Sequence, residues 1–182
     1  MILRTFTKAG FASAVAALLM TVATASAPAA EVTSKTVVDR LQIQDLITRY
    51  YNNFGRENAE NFADFYAEGA ELILGERHFK GKDGILEAYG RGPAKEGQPP
   101  RPPRPARYSF IVTISNPLIV VDGNSASAEL VFTEFEIEKQ GDAPKVIVQG
   151  KEYARFTKVK GIWRYAVRQI KSGTEPPLGW KP

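Results

Sequence analysis

The sequence predicts an α+β domain with helices first and strands after. Apolar residues recur at helical spacing over residues 35–90, and alternation takes over from residue 107 to residue 170. The strand expected at 125–139 changes phase part-way, which points to a curled sheet. With 182 residues, 43% hydrophobic and 24% charged, the chain suits one well-filled core and is short for two. There is no Cys, which excludes disulfides, thiolate metal sites and a Cys nucleophile, and the only His is His78, which excludes a multi-histidine metal site. No metal and no cofactor is implied.

Residues 1–30 read as a secretory signal peptide. Arg4 and Lys8 form a basic start, Phe11 to Val22 an apolar run, and small residues crowd Ala23 to Ala30. The run is too short for a membrane span, so no membrane association is expected after cleavage. The reading is of a periplasmic or secreted protein. Taking these two cations from 24 leaves 22 against 20 acids, a balance that argues against nucleic acid as the partner.

The elements follow in order. Thr33 or Ser34 can cap a helix over about 35–53, whose stripe is Ile43, Leu46, Ile47, Tyr50 and Phe54, with Gly55 ending it. Val37, Val38 and Leu41 lie on other sides, so cover on more than one side is expected. A second helix is predicted over about 58–67, a short strand over 70–74, a turn at Gly75-Glu76 toward 77–80, and a third helix over about 82–89 with Ile85, Leu86 and Tyr89 inward. Residues 91–107 form a Pro-rich loop carrying six of the twelve prolines, either a stiff exposed loop or a lid or recognition segment. Strands are predicted over 107–115 and 118–121, broken by Asn116-Pro117, then over 125–139 after the turn signal Asp122-Gly123.

The last hairpin, 146–159 with 162–170, can be read residue by residue. If Lys160-Gly161 is the whole loop and the pairing is regular, one face carries Glu152, Ala154, Phe156, Trp163, Tyr165, Val167 and Gln169. That face should pack on the helices, with Glu152 opposite Gln169. The other face carries Tyr153 beside Arg168 and is either solvent-exposed or a homodimer surface.

On these residues the chain resembles the SnoaL-like branch of the nuclear transport factor two-like superfamily. The resemblance rests on Ile43-x-x-Leu46-Ile47-x-x-Tyr50, the run from Asn61 to Ala70, Phe79-x-Gly81-Lys82-Asp83-Gly84-Ile85, the stretch Ser115-Asn116-Pro117 to Ala126, and Gly150-x-x-Tyr153 leading to Gly161-Ile162-Trp163-Arg164, covering about 36–171. It implies a curled antiparallel sheet wrapped around N-terminal helices as an open cone, a cystatin-like α+β roll that often holds a small molecule. Scytalone dehydratase, ketosteroid isomerase, polyketide cyclases and cofactor-free lyases of lignin-derived aromatics are relatives, and others only bind or assemble. Two departures matter. Where many members carry an Asp at the end of the first helix this chain has Gly55, and where many carry a His in the central strand it has Val112.

Chemistry must therefore rest on other groups. Glu152, pointed inward by the hairpin, is the candidate general base, and Tyr50 the candidate donor to an oxyanion; each could instead be structural, as a rim charge and a core tyrosine. Tyr108, Phe110, Val112, Phe156, Trp163, Tyr165 and Gln169 are the expected lining of a pocket for a small aromatic or apolar ligand. His78 reads as a surface residue, Glu134, Glu136 and Glu138 as a solvated face, and Arg155, Arg164 and Arg168 as an outer face or dimer contact. Two function classes remain: a cofactor-free lyase, isomerase or dehydratase working by proton transfer, and a non-catalytic periplasmic binding or assembly module.

Overall fold

The computed structural model describes residues 32–54, 61–90, 108–173 and 175–182. The expected signal peptide, Gly55, the start of the second helix and the Pro-rich loop lie outside the described residues. The elements are α1 (Val37–Asn52), a 3-10 turn (Phe62–Phe65), β1 (Tyr66–Leu74), β2 (Arg77–Lys80), α2 (Gly81–Ala88), β3 (Ser109–Asp122), β4 (Ser125–Ile137), β5 (Lys145–Val159) and β6 (Ile162–Lys171).

The six strands form one curled sheet in the order β2-β1-β6-β5-β4-β3. Every pairing is antiparallel except β1 with β6, so the sheet is mixed. The second helix is corrected: the described part is a single 3-10 turn, and Tyr66 and Ala67 already belong to β1. Asn61 caps this turn: it is extended and its side chain accepts from the Ala63 N–H.

Along α1, Ile43, Leu46, Ile47, Tyr50 and Tyr51 are buried. Val38 and Leu41 stay about 60% exposed, so this helix is covered on one side only; both lie off the stripe that the sheet receives. The cap position is Thr36, not Thr33 or Ser34, and the Thr33 carbonyl accepts from the Thr36 and Val37 N–H groups in the turn before it.

The sheet curls through bulges. Asn116 and Pro117 together oppose one residue of β4, because Pro117 has no N–H to give and Asn116 takes a positive φ of 52°. Ile147 is the extra residue between β5 and β4, placed opposite the half of β4 where the sequence changes phase. Ala166 is the extra residue on β6. The core fills the concave side, where α1 meets Phe62, Phe65, Leu72, Ile85, Leu130, Phe132, Phe156, Trp163 and Tyr165.

Candidate functional site

The hairpin closes as predicted, Val159 opposite Ile162, with Lys160 and Gly161 both at positive φ as a two-residue primed turn requires. The register then departs from the regular one. Phe156 pairs with Tyr165, but Arg155 pairs with Val167, so Ala166 is skipped and every later residue of β6 changes face. Glu152 is consequently opposite Ile170 and not Gln169. Arg168, expected outside beside Tyr153, sits opposite Ala154 on the concave face and is 4% exposed. Tyr153 remains on the convex face, covered by Trp180 with ring centroids 5.1 Å apart. No single face carries both Tyr153 and Arg168, so the surface expected for dimer contact does not exist in that form.

Glu152 points inward as expected and is fully buried. Its Oε2 accepts from the Tyr51 hydroxyl at 2.6 Å and from Arg168 Nε at 2.6 Å. Arg168 Nη2 donates to the Tyr51 oxygen at 2.8 Å, closing a three-membered cycle of charge-assisted bonds. A buried carboxylate needs such partners, since an uncompensated charge in an apolar interior is strongly unfavourable. Oε1 of the same carboxylate is buried with no hydrogen-bond partner among the described residues, and so is the Tyr165 hydroxyl. Native interiors leave few such groups unsatisfied.

Rings surround this cycle. Arg168 lies over Tyr50 at 4.5 Å and over Tyr51 at 5.3 Å, and Tyr51 stacks on Phe132. The Tyr50 hydroxyl bonds that of Tyr89, which also lies 3.2 Å from the Tyr66 hydroxyl and 3.4 Å from Arg168 Nη1. Burial pushes the phenols of Tyr50, Tyr51, Tyr66 and Tyr165 well above their ordinary range, so they stay neutral and able to donate. Desolvation works to lower the Arg168 pKa, but the Glu152 charge and the surrounding tyrosines outweigh it and hold the guanidinium firmly protonated.

The other expected lining residues divide. Phe156 and Trp163 are buried: Phe156 lies 4.7 Å from the Tyr165 ring, and the Trp163 indole N–H donates to Asp39 at 3.0 Å. Phe110 and Val112 are half-buried at the edge of the core, Phe110 beside Phe54. Tyr108 is 58% exposed. Gln169 belongs to the opposite face, where it pairs with Tyr153 and Ile73. His78 is exposed on β2, as expected of a surface residue.

Sequence reasoning missed Arg168, Tyr51 and Tyr89 as members of one cluster. Tyr51 lies four residues after Ile47, so helical spacing alone could have found it. Among the described residues, surface hollows lie apart from the cluster: one of about 240 Å³ lined by Asp45, Arg49, Trp163 and Arg164, one of about 480 Å³ lined by Ser125, Arg155 and Phe156, and one of about 450 Å³ along Val38, Leu41 and Thr48 of α1. None of these is lined by Glu152, Arg168 or Tyr51.

The sequence pattern of the SnoaL-like domain matches residues 35–169. The chain belongs to the SnoaL-like family. Solved structures agree with this fold. A protein of unknown function with a cystatin-like fold from Nostoc punctiforme is 19% identical, with TM-score 0.60, covering 79% of this chain and 97% of its own. A protein from Novosphingobium aromaticivorans named as a scytalone dehydratase by assignment is 16% identical, with TM-score 0.57, covering 83% and 100%. A nuclear transport factor 2-like superfamily protein from Salmonella enterica is 18% identical, with TM-score 0.55, covering 81% and 99%. At such identities the likeness is one of fold, and the SnoaL-like cone supplies no reaction by itself. No curated protein matches this chain. Of the two family positions that depart from the pattern, Val112 packs at the core's edge, and Gly55 lies outside the described residues.

Proposed function

We propose that this SnoaL-like domain binds a small aromatic molecule in its interior and transfers a proton on it without a cofactor, as an isomerase, lyase or dehydratase does. The observation that carries the reading is the divided carboxylate of Glu152. Oε2 is fixed by Tyr51 and Arg168, while Oε1 is buried and open to a donor that a ligand would bring. An acceptor held in one orientation and shielded from water has what a general base requires. Arg168 and the neutral tyrosine hydroxyls supply positive charge and donors for negative charge developing on a ligand oxygen. Tyr50 contributes as the ring under Arg168.

The test is turnover of a panel of small aromatic lyase and isomerase substrates. Wild type should turn over a member of the panel and Glu152→Gln should lose about 100-fold or more of that rate; equal rates would remove Glu152 from the chemistry.

One observation favours a second reading, binding without catalysis. Two donors already engage Oε2, which makes Glu152 an anchor as readily as a base. Saturable binding of panel compounds with no turnover would select it.

Export is also our reading, from the pattern of residues 1–30, and N-terminal sequencing of the protein recovered from its host tests it: an intact Met1 contradicts export. Among the described residues, no helix is long and apolar enough to cross a membrane.

A further inference from the structure

We propose that the ligand of this interior is a small para-substituted phenol, and that the Tyr89 side chain fills the phenol's place and moves aside to admit it. The inference rests on the interior site proposed above and adds the chemistry of what enters it.

Tyr89 is the half-buried member of a cluster whose other tyrosines are fully enclosed. It caps the C-terminal end of α2, beyond the last helical turn, and Gly90 follows it at a φ of 69°. Its ring stacks on Phe62 with centroids 4.4 Å apart and planes 17° apart, and it meets Phe54 and Tyr50 edge-on. Its oxygen is met by groups from three separate elements: the Tyr50 hydroxyl from α1, the Tyr66 hydroxyl from β1, and Nη1 of Arg168 from β6. A phenol oxygen donates one bond and accepts two, so it satisfies that trio.

Each member of the trio is held independently of Tyr89. Arg168 is fixed through Nε and Nη2 by Glu152 and Tyr51, Tyr50 by the rings of Phe62, Phe65 and Tyr165, and Tyr66 by its place on β1 and the Tyr165 ring. The result is an aromatic platform beside a fixed oxygen cradle. The side chain that occupies it is itself a 4-alkylphenol and comes from the end of a helix of 8 residues. A free phenol in that position would direct its para substituent along the path that Tyr89 itself takes toward the surface. Its oxygen would share Arg168 with Glu152, so the guanidinium would stand between the ligand oxygen and the carboxylate.

The probe is 4-methylphenol, with toluene as the isostere that lacks oxygen, and calorimetry and thermal shift are the readouts. In Tyr89→Ala the place is vacated, and 4-methylphenol should raise Tm and bind about tenfold or more tighter than toluene. Wild type should bind 4-methylphenol saturably but more weakly than Tyr89→Ala, because its own side chain competes. Equal affinity of Tyr89→Ala for the two probes would overturn the oxygen cradle. Equal affinity of wild type and Tyr89→Ala for 4-methylphenol, or saturable binding by neither, would overturn the displacement. Should Tyr89→Ala not fold, Tyr66→Phe in the otherwise native chain keeps the ring and removes one cradle hydroxyl. It should weaken 4-methylphenol binding and leave toluene binding unchanged, and an unchanged 4-methylphenol affinity would overturn the proposal. Repeating the titrations in Glu152→Gln separates the two readings. Binding retained there with no turnover in wild type leaves the phenol site standing while the proton-transfer reading falls. Turnover that depends on Glu152 with no 4-methylphenol preference does the reverse.

Discussion

Arg168 Nε donates to Glu152 Oε2 at 2.6 Å, although a regular hairpin built on the same two-residue turn would place these residues on opposite faces of the sheet. Both are enclosed, so each is the other's main compensation for leaving water. Arg168→Met should cost about 3–5 kcal/mol by stranding the carboxylate. The double variant Arg168→Met/Glu152→Gln should be more stable than Arg168→Met alone, because a neutral amide needs no counter-charge. Urea unfolding of the four proteins checks this, and simple additivity of the two changes would contradict the pairing.

Ala166 is the residue that makes this contact geometrically available. Pairing it in a regular ladder would turn Arg168 outward, whereas deleting it removes the bulge and keeps Val167 opposite Arg155 and Arg168 opposite Ala154. The deletion should therefore keep the Arg168–Glu152 contact and cost less than Arg168→Met, the loss coming from the straightening of β6 at that point. Circular dichroism melting tests it; a deletion variant as unstable as Arg168→Met would contradict the register described.

Gly150 makes room for the ring that backs Tyr51. A Cβ at this position would lie 2.8 Å from the Lys171 carbonyl oxygen and 2.9 Å from the Phe132 ring, which stacks on Tyr51. Gly150→Ala should therefore destabilise by about 1–3 kcal/mol, as overpacking does. In chemical unfolding the midpoint should fall, and Phe132→Leu should recover part of the loss by removing the ring that the new methyl strikes.

Alkaline pH should unfold the protein through its tyrosines. Tyr50, Tyr51, Tyr66 and Tyr165 have phenols raised by burial above the unfolded value of 10.0. A group whose folded pKa is raised holds its proton more tightly when folded. Its contribution is complete below about pH 10 and is lost as pH climbs beyond it, where the unfolded chain ionises and the folded one does not. Phenolate absorbance should rise for these buried tyrosines together with loss of helical ellipticity. Their titration in a chain that stays folded would contradict the enclosure described.

Much of the fold was legible because it follows from local periodicity. The stripe Ile43, Leu46, Ile47 and Tyr50 announced α1, Lys160-Gly161 announced the last turn, and Asn116-Pro117 announced a break in β3. The inward Glu152 was legible too, since on β5 it lies in phase with Ala154 and Phe156. Its partner was not. Trp163, Tyr165 and Val167 alternate without interruption, so parity argued for a regular β6, and a bulge inserts its extra residue without any Gly or Pro to mark it. The one sign was Ile170, an apolar residue out of phase with those three. Tyr89 escaped as a site residue because its partners, Tyr50, Tyr66 and Arg168, come from three elements far apart in sequence. The second helix, expected over about 58–67, gives way at Tyr66 because Tyr66 and Ala67 join β1, and a local apolar stripe does not reveal pairing with a strand a hundred residues away.

The most direct measurement of the central claim is solvent deuterium exchange. In heavy water, a small aromatic ligand with an acidic C–H is followed by proton NMR in the presence of wild type and of Glu152→Gln. Wild type should replace that hydrogen with deuterium, and Glu152→Gln should do so about 100-fold more slowly while still binding the ligand. Exchange at the same rate with both proteins would contradict the account.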